Sequence, residues 1–217
     1  MHASFVNSEK LKKHIHCLFT HGGMYLVCNS NLLYHASVPL NEDGSFKHIL
    51  IQGKEYWGKS LYDRVDQFIR TAYFGEEETE EKEFALDYMW YLWCGKDAPP
   101  FDKKKMATFE SYFVNEKELR KEEKGAYYAL RNEESICDMI LKEFGVEGPH
   151  AHIINGHVPV KTIKGENPIK ANGKLLVIDG GFSKAYQPET GIAGYTLVYH
   201  SHGLELVQHA PFQSTQK

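Results

Sequence analysis

Apolar residues recur near the start of the chain with two different periods. Leu11, Ile15, Leu18 and Phe19 share one helical face, Ser8 stands where an N-cap belongs, and Gly22-Gly23 stops the run. From Met24 the pattern shortens. Residues 24–28 and 32–36 are apolar runs separated by the turn residues Asn29-Ser30-Asn31, which predicts a β-hairpin. Pro39 and residues 41–44 predict a loop. The middle of the chain reads as helices. Leu61, Val65, Phe68 and Ile69 form one stripe, and Phe84, Met89, Tyr91, Leu92 and Trp93 a second that Gly95 and Pro99-Pro100 end. Phe109, Phe113 and Leu119 follow, then Tyr127 and Leu130. Ile136, Ile140, Leu141 and Phe144 predict a last helix with Gly145 as its C-terminal cap. These aromatic stripes read as core rather than as a base-stacking platform. After residue 149 short strands return at 152–155 and 175–178. A hairpin over 195–199 and 204–208 turns about Ser201-His202-Gly203. The expected fold is α+β: a β-rich part over 1–53, a helical insertion over 54–148 and a second β-rich part over 149–217, in one structural domain.

Composition narrows the function classes. The 217 residues carry 25 Lys and Arg against 29 Asp and Glu, a formal charge of −4, which argues against a general nucleic-acid binder. With 42% hydrophobic and 25% charged residues the chain is an ordinary globular one. No stretch approaches the roughly 18 apolar residues of a membrane span. The first five residues are too polar to begin an export signal. Cys17, Cys28, Cys94 and Cys137 form no CxxC element and are expected to be buried thiols in a reducing cytoplasm. Charge is uneven. Residues 76–83 hold six Glu and one Lys, a net of −5, which reads as a solvated face and leaves +1 for the remainder. The 12 histidines fall six in residues 1–48 and six in 150–209, so the candidate chemistry belongs to the β-rich flanks.

The most informative stretch is Asn155-Gly156-His157-Val158-Pro159. A strand runs into a glycine, which permits an unusual backbone or a close approach, then presents an imidazole and turns at a proline. His35 occupies a similar place, at a strand end before Pro39. Two such rings could converge on one ion, because neutral imidazole is a common metal ligand; the other reading is a pair of hydrogen-bonded strand-end histidines. The HxH pairs His14/His16, His150/His152 and His200/His202 read as incidental surface residues. From His157 to Tyr186 five lysines face Glu166 and Asp179, a net of +3, with glycines interleaved. That suits a phosphate ester, or a solvated basic loop. No GxSxG, P-loop or GxGxxG is present.

Several segments resemble one family. Asn155–Lys161, Lys164–Lys174, Val177–Tyr186, Thr190–Leu197, Leu32–Pro39 and Trp90–Asp97 are similar to the class III fructose-1,6-bisphosphatases, which are calcineurin-like metallophosphoesterases. The resemblance implies part of a layered α/β/β/α sandwich with two metal ions, commonly Mn2+, at strand ends. It implies hydrolysis of the 1-phosphate of fructose 1,6-bisphosphate, a cytoplasmic step of gluconeogenesis. His35 and His157 match two of the family's metal-binding histidines. Lys161, Lys164, Lys170 and Lys174 would hold substrate phosphates, supported by Asn155, Gly156, Asp179, Gly180 and Gly181. The family's DxH, GDxxDR and GNHD motifs are absent from the sequence. The expectation is therefore a C-terminal part with no catalytic residue of its own. Two imidazoles are too few for ions that each take about six ligands, so the chain alone should be inactive, with an exposed sheet edge or apolar face. Its expected partners are a sugar bisphosphate, the missing half in cis or in trans, and in one reading a second copy; no nucleic acid or membrane is expected. Two alternatives remain: a non-catalytic interaction module of the same fold, and a phosphoesterase for phosphoproteins or nucleotides, which the lysine-loop match disfavours.

Overall fold

The computed structural model describes residues 2–181, 183, 187–191 and 194–210. In chain order the helices are α1 (His2–Val6), α2 (Glu9–His21), α3 (Gly58–Phe74), α4 (Glu80–Cys94), α5 (Glu110–Phe113), α6 (Tyr127–Leu130), α7 (Glu134–Glu143) and α8 (Gln187–Thr190). The strands are β1 (Tyr25–Cys28), β2 (Asn31–Tyr34), β3 (Ile49–Ile51), β4 (Lys54–Tyr56), β5 (Lys103–Lys105), β6 (Glu123–Lys124), β7 (His152–Asn155), β8 (Ile169–Lys170), β9 (Leu175–Val177), β10 (Gly194–His200) and β11 (Gly203–His209). The fold is α+β.

One five-stranded sheet organises the molecule, in the order β1-β2-β7-β9-β8. Its three central strands are parallel and both edge strands antiparallel. The expected hairpin forms β1 and β2. Its two-residue turn puts Asn29 at φ 50° and Ser30 at φ 59°, the left-handed region that matches strand twist. Register sets Leu32 beside Ile153 and Ile153 beside Leu175. These three residues, with Tyr34 and Val177, form one face, sealed by Cys137, Ile140 and Leu141 of α7 and by Tyr62, Tyr127 and Phe144. Leu33 and Ile154 lie on the other face and line an open cleft of about 1220 Å³, with Ile178 just beyond β9 also on its wall.

A second core lies between α3 and α4. Leu61, Val65, Phe68 and Ala72 of α3 meet Ala85, Tyr88 and Leu92 of α4, with Ile51 of β3 beneath. Here the aromatic reading needs correction. Trp90 and Trp93 are 58% and 48% exposed, and pack on each other and on Phe109 outside the core. Apolar residues surround most of α4, so periodicity alone did not choose the face; contact with α3 did. Phe113 is 82% exposed, and its segment forms only the four-residue α5.

Two short strand pairs were not anticipated. The β3–β4 hairpin turns at Gln52-Gly53, both with positive φ, and straddles the boundary expected between residues 53 and 54. The β5–β6 pair places Lys103–Lys105 and Glu123-Lys124, in the part expected to be a helical insertion, on short antiparallel strands. Of the cysteines only Cys137 is buried, and Cys17 and Cys28 are exposed. Cys28 lies on edge strand β1, which has a solvated face; Cys17 sits on α2, which buries no residue.

Candidate functional site

The C-terminal ends of parallel strands β2 and β7 leave the sheet side by side. Beyond β2 the chain presents His35, and beyond β7 it presents Gly156 and His157. The Gly156 amide donates to the His35 carbonyl at 2.9 Å, so the two exits are tied together. Nε2 of His35 lies 3.1 Å from Nδ1 of His157, with the ring centroids 4.9 Å apart. The two histidines are 122 residues apart in sequence, and the parallel register of β2 and β7 is what makes them neighbours. The left-handed backbone falls on His157, at φ 67°, and not on Gly156. A Cβ at Gly156 would make ordinary contacts with Asp179, starting at 3.4 Å. Phe101, not singled out from the sequence, stands against both rings, at 5.0 Å from His157 and 5.9 Å from His35.

Burial is the main electrostatic influence on the pair. It lowers the His35 pKa, opposed by the charge of Asp179. Burial, then the neighbouring His35, lowers that of His157 to about 4. Both rings are therefore neutral near pH 7, the form that offers a lone pair to a metal. Asp179 is held by the Gly181 amide, which donates to its Oδ1 at 3.0 Å, and its own carbonyl accepts from Val160 at 2.9 Å. Gly180 is buried in the same turn.

Beneath the pair lies a buried hydrogen-bonded network. Asn155 donates through Nδ2 to the Tyr127 hydroxyl at 2.6 Å and to the Ala36 carbonyl at 3.0 Å. The Tyr127 and Tyr34 hydroxyls are 2.8 Å apart, and the Tyr62 hydroxyl donates to the Ser37 carbonyl. Burial raises all three tyrosine pKa values, so these groups remain protonated links. They fix the backbone from which His35 and His157 project. Tyr127 carried no signal in the sequence beyond a short apolar spacing.

The lysines are dispersed. Lys161 lies four residues past His157, in the same loop. Lys164 is exposed at the end of a 3-10 turn, and Lys184 lies outside the described residues. Lys170 pairs with Glu166 at 3.0 Å and Lys174 with Asp138 at 3.0 Å. His16 packs on Tyr73 and Phe74, and Nδ1 of His152 bonds the Gly173 carbonyl at 2.8 Å.

The donor chemistry suits a divalent metal in kind but not in number. Among the described residues, no group of three or more His, Cys, Asp or Glu side chains is placed to hold a metal ion. Two imidazoles do not make a resident site for one. No described helix is long and apolar enough to cross a membrane.

Comparison with known proteins gives the chain its relatives. Residues 1–217 match the family described as Firmicute fructose-1,6-bisphosphatase. A fructose-1,6-bisphosphatase class 3 of Bacteroides fragilis is 80% identical over 217 residues, all of this chain and 33% of the relative. The Bacteroides thetaiotaomicron protein of that name is 76% identical over the same span. One from Clostridium botulinum is 58% identical over 214 residues, 99% of this chain and 32% of the relative. The chain thus spans about a third of the length of these curated relatives. No solved structure matches it.

Proposed function

Because the chain belongs to the Firmicute fructose-1,6-bisphosphatase family, we propose that it is the C-terminal part of a sugar bisphosphatase that releases the 1-phosphate of fructose 1,6-bisphosphate. It contributes two imidazole ligands, His35 and His157, to a metal centre whose carboxylates come from the rest of such an enzyme. The observation that carries this reading is the convergence of those rings to 3.1 Å at the rim of an open cleft. A dinuclear Mn2+ centre would lower the pKa of a bound water and neutralise phosphoryl oxygens. This chain's own residues orient the imidazoles: Asn155 and Tyr127 from below, Phe101 from the side and the Gly156 amide through the His35 carbonyl. The fold is then part of a calcineurin-like sandwich, working in the cytoplasm, with the remaining two thirds packed over the cleft.

The test is phosphate release from fructose 1,6-bisphosphate with Mn2+, by this chain alone and after mixing with the complementary part of the Bacteroides fragilis relative. The chain alone should give no turnover and retain no metal after gel filtration. The mixture should give both. His35→Ala and His157→Ala should each lower the mixture's rate and metal content by at least the 10- to 100-fold typical of groups that only orient metal ligands. Turnover by the chain alone, or unchanged metal content in both variants, would remove the assignment.

A further inference from the structure

Beside His157 lies a second cavity of about 400 Å³, which His157 lines and His35 does not. Its wall holds Lys103 and Lys124, from β5 and β6, and Lys161, together with Glu122, Glu189, Val158 and Pro159. The β5–β6 pairing is what brings the first two lysines here, from positions far outside the 157–186 basic stretch. Lys103 is matched by an ion pair with Glu122. Lys124 and Lys161 have no carboxylate at ion-pair distance among the described residues, and Glu189 is the remaining acid on the wall.

Arg131 lies behind this group. It is 6% exposed, and its Nε and Nη1 have no hydrogen-bond partner. The Glu166 carboxylate compensates its charge at a distance, but a buried N–H with no acceptor still carries a desolvation cost. The ring of Tyr128 sits against both cations, 5.1 Å from Lys124 Nζ and 5.5 Å from Arg131 Cζ. The fold therefore holds like charges together that would otherwise repel. The Lys124 pKa is lowered, first by burial and then by Arg131, opposed by the Glu166 carboxylate, with Lys161 and Lys103 adding to the lowering. His157 lines both this cavity and the larger cleft.

We propose that this cavity, walled by Lys103, Lys124 and Lys161 with Arg131 behind them, seats the phosphate that the reaction leaves on the sugar. The inference rests on the bisphosphatase reading, since it needs a substrate whose other phosphate lies at the histidine pair. One bisphosphate then bridges His157, its scissile end at the rings and its retained end among the amines. The ammonium groups act as point charges on a phosphate monoester. Lys164, Lys170 and Lys174 do not line the cavity, and Lys170 and Lys174 already have carboxylate partners.

The experiment is calorimetric titration of the chain with fructose 6-phosphate, which carries only the retained phosphate, in a chelator and at constant ionic strength. Unmodified fructose is the control ligand. The chain should bind the phosphorylated sugar and not fructose. Lys124→Gln and Lys161→Gln, both on solvent-accessible side chains, should each weaken binding about tenfold, and Lys174→Gln less than twofold. Absence of binding, equal binding of fructose, or wild-type affinity in both the Lys124 and Lys161 variants would overturn the proposal. Metal plays no part in this assay. Failure here leaves the histidine assignment standing, and failure of the histidine variants in the metal assay leaves this one standing.

Discussion

The two faces of the five-stranded sheet carry the same kinds of side chain and meet different surroundings. Leu32, Ile153 and Leu175 lie under α7, Tyr62, Tyr127 and Phe144, wholly buried. Leu33 and Ile154, the immediate neighbours of the first two, line an open cleft together with Ile178. Parallel strands are normally covered on both faces, which is why their sequences are apolar without alternation. The closed face is therefore a finished core. The open one has the composition of a core whose cover is not among the described residues. The same contrast separates two parts of the site: the tyrosine–asparagine network under the histidines is sealed, and the rings above it face the cleft.

The largest expected effect breaks that contrast from the closed side. Ile153→Ala should cost about 3 kcal/mol, because it leaves a cavity in a packed core, and Leu33→Ala, half-buried on the cleft wall, about 1 kcal/mol. Urea unfolding followed by circular dichroism measures both, and equal losses would show that the faces are not different. Next, Tyr127→Phe removes a hydroxyl that serves Tyr34 and Asn155 and should cost about 1–2 kcal/mol. Tyr25→Phe, which loses a half-buried bond to Asp63 at 2.9 Å, should cost under about 0.5 kcal/mol.

A third prediction uses pH. Asp102 is buried beside Tyr127, whose amide donates to its Oδ2 at 3.2 Å, and burial raises its pKa to about 6. The folded state then holds a proton that the unfolded state releases at lower pH. Its contribution to stability is complete below about 4 and is lost as pH rises through about 6. Asp102→Asn should raise the melting temperature by ~3 °C at pH 8 and change it little at pH 4. A gain that is the same at both values would assign the effect to packing. The smallest effect is at the solvated edge: Leu26→Thr on β1 should change stability by less than about 0.5 kcal/mol while reducing binding of an apolar dye.

Sequence periodicity located the elements whose cues are local. Ser8 does cap α2, its side chain accepting from the Leu11 amide at 3.3 Å, and Gly22 ends that helix. Gly145 takes φ 74° just beyond α7, and the hairpin at Asn29-Ser30 and the strands near residues 153 and 176 were equally readable. His35 and His157 stood out because each leaves a strand before a proline, although only the sheet order shows that they touch. The β3–β4 hairpin escaped because its two-residue turn sat on an expected boundary. The Lys103–Lys105 strand escaped because a run of one charge has no period at all. The outward turn of Trp90 and Trp93 depends on which face of α4 meets α3, a choice made between elements.

That last feature decides what the protein's own fluorescence can see. Its three tryptophans are Trp57, stacked on His48, and Trp90 and Trp93, on the outer side of the α3–α4 arm. None lies on the central sheet. Tryptophan emission therefore reports on the surfaces around His48 and around Phe109, not on a residue of the central sheet.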